Sequence, residues 1–409
     1  MTKDSLRYWV NTFAMRKPRS TPRFSVCLIM LAASLAQTGQ ASTFALQPQS
    51  LTVEGKRVSV NVPPGYRLEL VTTDLSQPRF LTFADNGDLF AGSQSGYVYR
   101  LVPPYTRVQK LTPSFRYPHS LTVREGKLFI ASTEALYRAE GINGKQLVNV
   151  QRVLDLPAGN GHSSRTVKQG HDGKLYISLG ISGNCSDQFM GAGYPFEQRR
   201  GGLFVVEEKG KSMQLRPYST GLRNPVGFAW NDQGELFATN NGPDHWGYDQ
   251  PEEQLAALSE GSFHGMPWYQ VIDGKVVRDS CRTNKAPMDM DAVKLPVATF
   301  PSRNAPMAIE FIPSTHADSR LAGNAFVALH GSWAVEAGEG RASKRPPNLS
   351  LVIFDEEKKP AVVEWVTGFQ EVDGQRWSRP VGVAVSPKGE VYFSSDGPVS
   401  AIYRLVLDH

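Results

Sequence analysis

Six times along this chain an apolar, alternating run leads through a polar turn into Gly-x-(Leu/Val/Ala)-(Phe/Tyr). Phe80-Leu81-Thr82-Phe83 leads to Gly87-Asp88-Leu89-Phe90, and Ser120-Leu121-Thr122-Val123 to Gly126-Lys127-Leu128-Phe129. Arg165-Thr166-Val167 leads to Gly173-Lys174-Leu175-Tyr176, and Val226-Gly227-Phe228-Ala229 to Gly234-Glu235-Leu236-Phe237. Met307 to Phe311 leads to Gly323-Asn324-Ala325-Phe326, and Val381 to Val385 leads to Gly389-Glu390-Val391-Tyr392. Each copy reads as a β-hairpin, because alternation buries one face and the turn residues supply the reversal.

The hairpin glycines are 39, 47, 61, 89 and 66 residues apart. The shortest spacing suits one four-stranded sheet, and the longer ones carry insertions. A lone hairpin cannot bury its apolar faces. Six sheets packed radially can, with only short edges exposed. The expectation is an all-β, six-bladed β-propeller forming a single domain over 42–409, with long insertions over one face. Two stacked sandwiches would not account for the repeated hairpin. Residues 62–73 should complete the last blade beside Ile402-Tyr403-Arg404-Leu405, whereas the polar stretch 43–59 reads as loosely held.

The strands of a hairpin run in opposite directions, so residues before the first and after the second share one rim. In the fourth copy this rule brings Arg223-Asn224-Pro225 together with Asn241-Gly242-Pro243-Asp244. In the third it adds His162, in the fifth His330-Gly331-Ser332-Trp333, and in the sixth Arg379. The long insertions, 181–200, 242–300 and 331–350, all follow a second strand and should crowd the same rim. Long loops in a compact domain are usually functional or disordered.

The formal charge of +5 misleads. Residues 1–41 hold six Lys/Arg and one Asp, and without them 38 basic and 38 acidic residues remain. A neutral body gives no footing for nucleic acid. Those first residues read as a secretory signal peptide: Met15-Arg16-Lys17-Pro18-Arg19 is basic, Phe24 to Ala36 is apolar, and Gly39-Gln40-Ala41 fits a cleavage site. The apolar core has 13 residues, short of the roughly 20 that a bilayer span needs. The competing reading is an uncleaved anchor. The leader before Met15 is long, so translation starts at either Met1 or Met15. Of the three cysteines, Cys27 leaves with the signal. Cys185 and Cys281 either pair, as an exported protein allows, or stay as thiols.

On the rim, a neutral His162 is either a general base or a structural histidine bonded to a loop. Arg165, Arg223 and Arg379 stand at or just before inner strands, and a guanidinium fork suits carboxylates. Singly each is expected to pair with an acid such as Asp244 or Asp249; as a trio they make an anion-binding floor. Asn241 to Asp244, with Asp249 and Glu252-Glu253, offers oxygen ligands for calcium or is a solvated acidic loop. Trp333 either stacks on a flat ligand or shields the core. No Gly-x-Ser-x-Gly elbow, nucleotide fingerprint, P-loop, Cys-x-x-Cys or Cys-x-x-Cys-His is present.

Several of these segments carry a resemblance. Gly161-His162-Ser163-Ser164-Arg165-Thr166, Asp172 to Gly180, Gly221-Leu222-Arg223-Asn224-Pro225-Val226-Gly227, Gly242-Pro243, Gly261 to Pro267, His330-Gly331-Ser332-Trp333 and Arg379 to Ala384 span most of the chain after residue 41. With them the chain resembles the PQQ-dependent soluble aldose sugar dehydrogenases, and within these the sorbosone dehydrogenase-like branch. The resemblance implies a periplasmic quinoprotein oxidising a small sugar, with no stable membrane span after signal cleavage. It leaves the electron acceptor open. It implies PQQ and calcium as cofactors, His162 as the catalytic base, and Arg165, Arg223, Asn224, Trp333 and Arg379 as cofactor contacts. The carbonyls of Gly242 and Pro243 would hold the metal.

The sequence departs from the family twice. The glucose-oxidising branch orients its histidine with an aspartate in the loop after the third hairpin, but here Ile181-Ser182-Gly183-Asn184 has no carboxylate. The sorbosone branch carries an arginine shortly after Gly-Ser-Trp, and here Ala334-Val335 stand there, with Arg341, Lys344 and Arg345 the nearest bases. Two other functions fit a six-bladed propeller: a calcium-dependent sugar lactonase of the gluconolactonase type, or a non-catalytic binding module.

Overall fold

The computed structural model describes residues 44–408 apart from 211, 356 and 357. The expected signal sequence lies outside the described residues. All six repeated hairpins form, and each is extended into a four-stranded antiparallel sheet. In blade one the strands are Pro78–Phe83, Leu89–Ser93, Val98–Leu101 and Val108–Leu111. In blade four they are Phe228–Trp230, Leu236–Asn240, Glu253–Leu258 and Ala298–Phe300. Blade six takes three strands from the C-terminal end, Pro380–Val385, Val391–Asp396 and Ser400–Leu407, and its outer strand, Tyr66–Thr72, from near the N-terminal end. Leu68 pairs with Leu405 and Leu70 with Tyr403, so the ring closes where the sequence places it. Among the described residues no helix is long and apolar enough to cross a membrane.

Each seam between neighbouring blades has its own apolar cluster. Leu121 and Ile130 of blade two pack with Phe90 and Val98 of blade one, and Phe326 of blade five packs with Val381 and Phe393 of blade six. Toward the axis the sheets approach too closely for side chains. A Cβ at Gly227 would lie 2.2 Å from the Met307 carbonyl, and one at Gly382 would lie 2.4 Å from that of Arg79. Hydroxyls complete these seams: Thr166 Oγ1 donates to the Val226 carbonyl at 2.6 Å, and Thr239 Oγ1 to that of Met307 at 2.7 Å. Such buried groups must be paired, because an unpaired one costs roughly 1–3 kcal/mol.

The structure corrects two expectations. The described part of 43–59 is not loose. Gln47–Val53 and Lys56–Val62 form a hairpin that buries Val53, Val60 and Val62 in the seam of blades five and six. Its turn is Glu54-Gly55, both at positive φ, as a type I′ hairpin turn requires. The insertion 242–300 is also not one loop on one rim. It is interrupted by the third strand of blade four. The segment 259–297 leaves the far end of that strand and climbs along blade three, where Phe263 bridges Thr220. It then packs Phe263, Trp268 and Tyr269 against Phe189 of the 181–200 insertion. Cys185 and Cys281 join the two insertions as a disulfide, with Cα atoms 5.8 Å apart.

Candidate active site

His162 lies on the loop that enters blade three, held from below by two fully buried arginines. Arg165 donates to the carbonyls of His162 and Ser164 at 2.9 Å and to that of Pro157 at 2.9 Å. Arg200 donates to the carbonyls of His162, of Asn160 at 3.0 Å and of Gly180 at 2.8 Å. Burial, then the repulsion between the two guanidiniums, brings Arg165 down to about 9. Arg165 is therefore a clamp on the histidine loop, with its charge under the site rather than on its surface.

The imidazole Nδ1 is bonded to the backbone carbonyl of Ile181. A carbonyl can only accept, so Nδ1 carries the proton and Nε2 keeps its lone pair. The loop that lacks an aspartate thus orients the ring with its main chain. The Ile181 N–H in turn donates to the Arg223 carbonyl at 2.8 Å, so one residue ties His162 to Arg223. Burial first, and the Arg223 cation second, lower His162 to about 4, which leaves it neutral at pH 7. Gly180 is the close point of this arrangement. A Cβ there would lie 2.4 Å from Asn224 Oδ1 and 2.9 Å from the His162 Cβ.

Arg223 is buried and spans blades three and four. It donates to Asn184 Oδ1 at 2.8 Å, Asp244 Oδ2 at 3.1 Å and the Asn241 carbonyl at 3.3 Å. Asn224 beside it leaves its buried Oδ1 unpaired, as does Asn241. Gly242 and Pro243 are buried, and Pro243 caps the short 3-10 turn Asp244–Trp246. Orphaned amide oxygens beside main-chain carbonyls are the donor types a hard cation uses. The nearby carboxylates are engaged: Glu253 accepts from the Gly242 N–H, and Asp244 holds Arg223. Burial raises Glu253 to about 7.

The rest of the rim forms a second group, on blades five, six and one. His330 Nε2 bonds Asp396 Oδ1 at 2.8 Å, and Asp396 is ion-paired to the buried Arg79. Arg379 donates to the carbonyls of His330 at 3.0 Å and Gly331 at 3.3 Å. With Arg376, Arg341 and Lys344 it lines a basic cleft of ≈530 Å³. The structure thus brings His162, Arg165, Arg223, Asn224 and the Gly242-Pro243 turn together, and places Arg379 in this second group. Trp333 is 70% exposed, which rules out its shielding the core. Sequence reasoning missed Arg79, Arg200, Arg303 and Arg376. Arg79 and Arg303 obey the positional rule that found Arg165 and Arg379, each standing at or just before an inner strand.

A TrAA12-like family model matches residues 265–405. An uncharacterized protein of Borreliella burgdorferi is 23% identical over 378 residues, covering 87% of this chain and 93% of its own. The PQQ domain of pyranose dehydrogenase from Coprinopsis cinerea, in its holo form, matches with a TM-score of 0.67 and 19% identity, over 86% of this chain and 97% of that one. The PQQ-bound aldose sugar dehydrogenase of Streptomyces coelicolor matches with a TM-score of 0.56 and 18% identity, over 84% and 99%. The six-bladed fold of this chain is the fold of these sugar dehydrogenase propellers.

Proposed function

We propose that this chain is a quinone-dependent sugar dehydrogenase of the periplasm, exported by the signal in residues 1–41. One observation carries the reading: a neutral histidine with its Nδ1 proton held by a main-chain carbonyl and its Nε2 free, beside a buried arginine and an unpaired asparagine oxygen. Nε2 is the base that takes the proton from the hydroxyl at the sugar's anomeric carbon. When bound, PQQ would supply the acceptor for the hydride leaving that carbon. The donors of Arg223, Asn224 and Arg379 suit its carboxylates and carbonyls, and the Gly242 and Pro243 carbonyls suit a calcium beside it. Arg165 and Arg200 hold the His162 loop. Trp333, exposed on the rim, is the ring that would stack on a flat ligand. The product is a lactone.

The fit rests on the unpaired oxygens of Asn224 and Asn241 and on an arginine-rich rim. A lactonase would need carboxylates on its metal, and here Asp244 and Glu253 are spent on Arg223 and the Gly242 N–H. The test is to titrate the purified protein with PQQ and calcium and then add aldoses. Stoichiometric uptake followed by the quinol spectrum is expected. Absence of uptake with calcium present overturns the proposal.

A further inference from the structure

Away from the rim floor, the two insertions meet at a cluster that the proposed reaction does not use. We propose that Cys185, Cys281 and His245 form a thiol-dependent site for a soft divalent cation of the zinc type, closed in the disulfide form and opened by reduction. The sulfur, sulfur and imidazole nitrogen atoms lie within 4.8 Å of one another. Nδ1 and Nε2 of His245 are 3.8 and 4.0 Å from Sγ of Cys185. Zn–S and Zn–N bonds in a tetrahedral site separate such a pair by about 3.6 Å. The distance is therefore already right for a shared cation, and binding one needs the sulfurs to part and the ring to turn so that Nδ1 aims at it.

The orientation of His245 points to the same role. Its Nε2 lies 3.0 Å from both oxygens of Asp279, a fully buried carboxylate. That carboxylate is itself fixed by Trp246 Nε1 at 3.0 Å, Gln270 Nε2 at 2.9 Å and the Cys281 N–H at 3.0 Å. Nε2 thus carries the proton, and Nδ1 is the nitrogen left with a lone pair. A carboxylate behind an imidazole is how proteins set a metal-ligating histidine and raise its basicity. An ordinary disulfide needs no such partner.

Opening the site breaks the Cys185–Cys281 bond. A dithiol or phosphine reductant supplies two electrons, and solvent or the dithiol two protons, giving two thiols. Metal binding then releases those protons, because thiolate is the ligand. The cation would replace the disulfide as the staple between the two insertions, beside Asn184 and Asp244, which both hold Arg223. This inference is independent of the quinone reading, since its readout needs neither cofactor nor sugar.

The test uses Co²⁺ as probe on the full chain, reduced with a phosphine and desalted without oxygen. One cobalt per chain is expected, with a thiolate-to-cobalt band in the near ultraviolet and visible bands of tetrahedral type. The disulfide form should show neither. Cys185→Ser, which keeps Cys281 and His245, should lose most of the thiolate band and bind cobalt at least tenfold more weakly. His245→Ala, a surface change, should weaken binding tenfold or more, and Asp279→Asn by about 10–100-fold. A reduced wild type without these bands, or a His245→Ala variant binding as tightly as wild type, overturns the site. Should Asp279→Asn fail to fold, His245→Ala decides alone.

Discussion

Two histidines stand on the same rim and are held in opposite ways. His162, at the entry to blade three, gives its Nδ1 proton to a neutral carbonyl, and its neighbours Arg165, Arg200 and Arg223 are all cations. His330, at the exit of the second strand of blade five, is backed by the carboxylate of Asp396, which also pairs with Arg79. Both are brought to about 4, chiefly by burial, but arginines reinforce the shift in the first while Asp396 opposes it in the second. A carboxylate strengthens an imidazole as a base and ties it into the scaffold. A carbonyl fixes the tautomer without adding charge. Position and residue type alone would not separate the two; their partners do.

The largest expected effect breaks the comparison on its chemical side. His162→Ala should lower turnover by about 10²–10⁴-fold, the range for a lost general base, while PQQ uptake followed by absorbance stays intact. His162→Ala that turns over as fast as wild type would move the base elsewhere, with His330 the first candidate. The next effect is on stability. Asp396→Ala leaves Arg79 buried without its anion, at a cost of about 3–5 kcal/mol in chemical denaturation. Burial opposes ionisation of Asp396, yet His330 and Arg79 hold its carboxyl far below the usual range, so the pair is charged at all working pH. A loss below 1 kcal/mol would mean that water replaces the carboxylate.

The fold was legible because alternation and turn chemistry are local and were repeated in every blade. The N-terminal hairpin was as local, with Leu51 facing Val58 and with Val53 and Val60 on the same face, but its polar flanks masked the pattern. The site was legible only in part. The rim rule placed His162, Arg223 and Asn224 correctly, since strand direction follows from sequence. It could not show that Ile181 offers a carbonyl, because every residue has one and its direction depends on a bend in the loop. Nor could it show His330 with Asp396, which lie 66 residues apart and meet only because blades five and six are neighbours.

A smaller effect tests how tightly the His162 side is built. Gly180→Ala places a methyl against Asn224 Oδ1 and the His162 Cβ. The fold survives if the Asn224 side chain swings aside, but the base shifts by a fraction of an ångström to one ångström. Misplacement on that scale lowers turnover by up to about 10²-fold. The sugar concentration for half-maximal rate should change less than the rate itself. Turnover unchanged in Gly180→Ala would mean that Asn224 and His162 are free to move apart.

The last effect is nil at neutral pH and grows only in acid. In the unfolded chain these two histidines titrate at the ordinary value of 6.5, and in the folded chain His162 and His330 are each lowered to about 4. Between those values the unfolded chain binds more protons, so stability is full above pH 6.5 and is lost as pH falls toward 4. His162→Gln should flatten that loss by its share, measured as the difference in denaturant midpoint between pH 7 and pH 5. The rate behaves differently. A base that stays unprotonated down to about 4 keeps the sugar-oxidising rate of the free protein level until that pH, whereas an exposed histidine would lose it from about 6.5 downward. A rate that falls with a midpoint near 6.5 would place the working base in solvent, outside the carbonyl-held His162. The contrast between the two histidines would then be structural only.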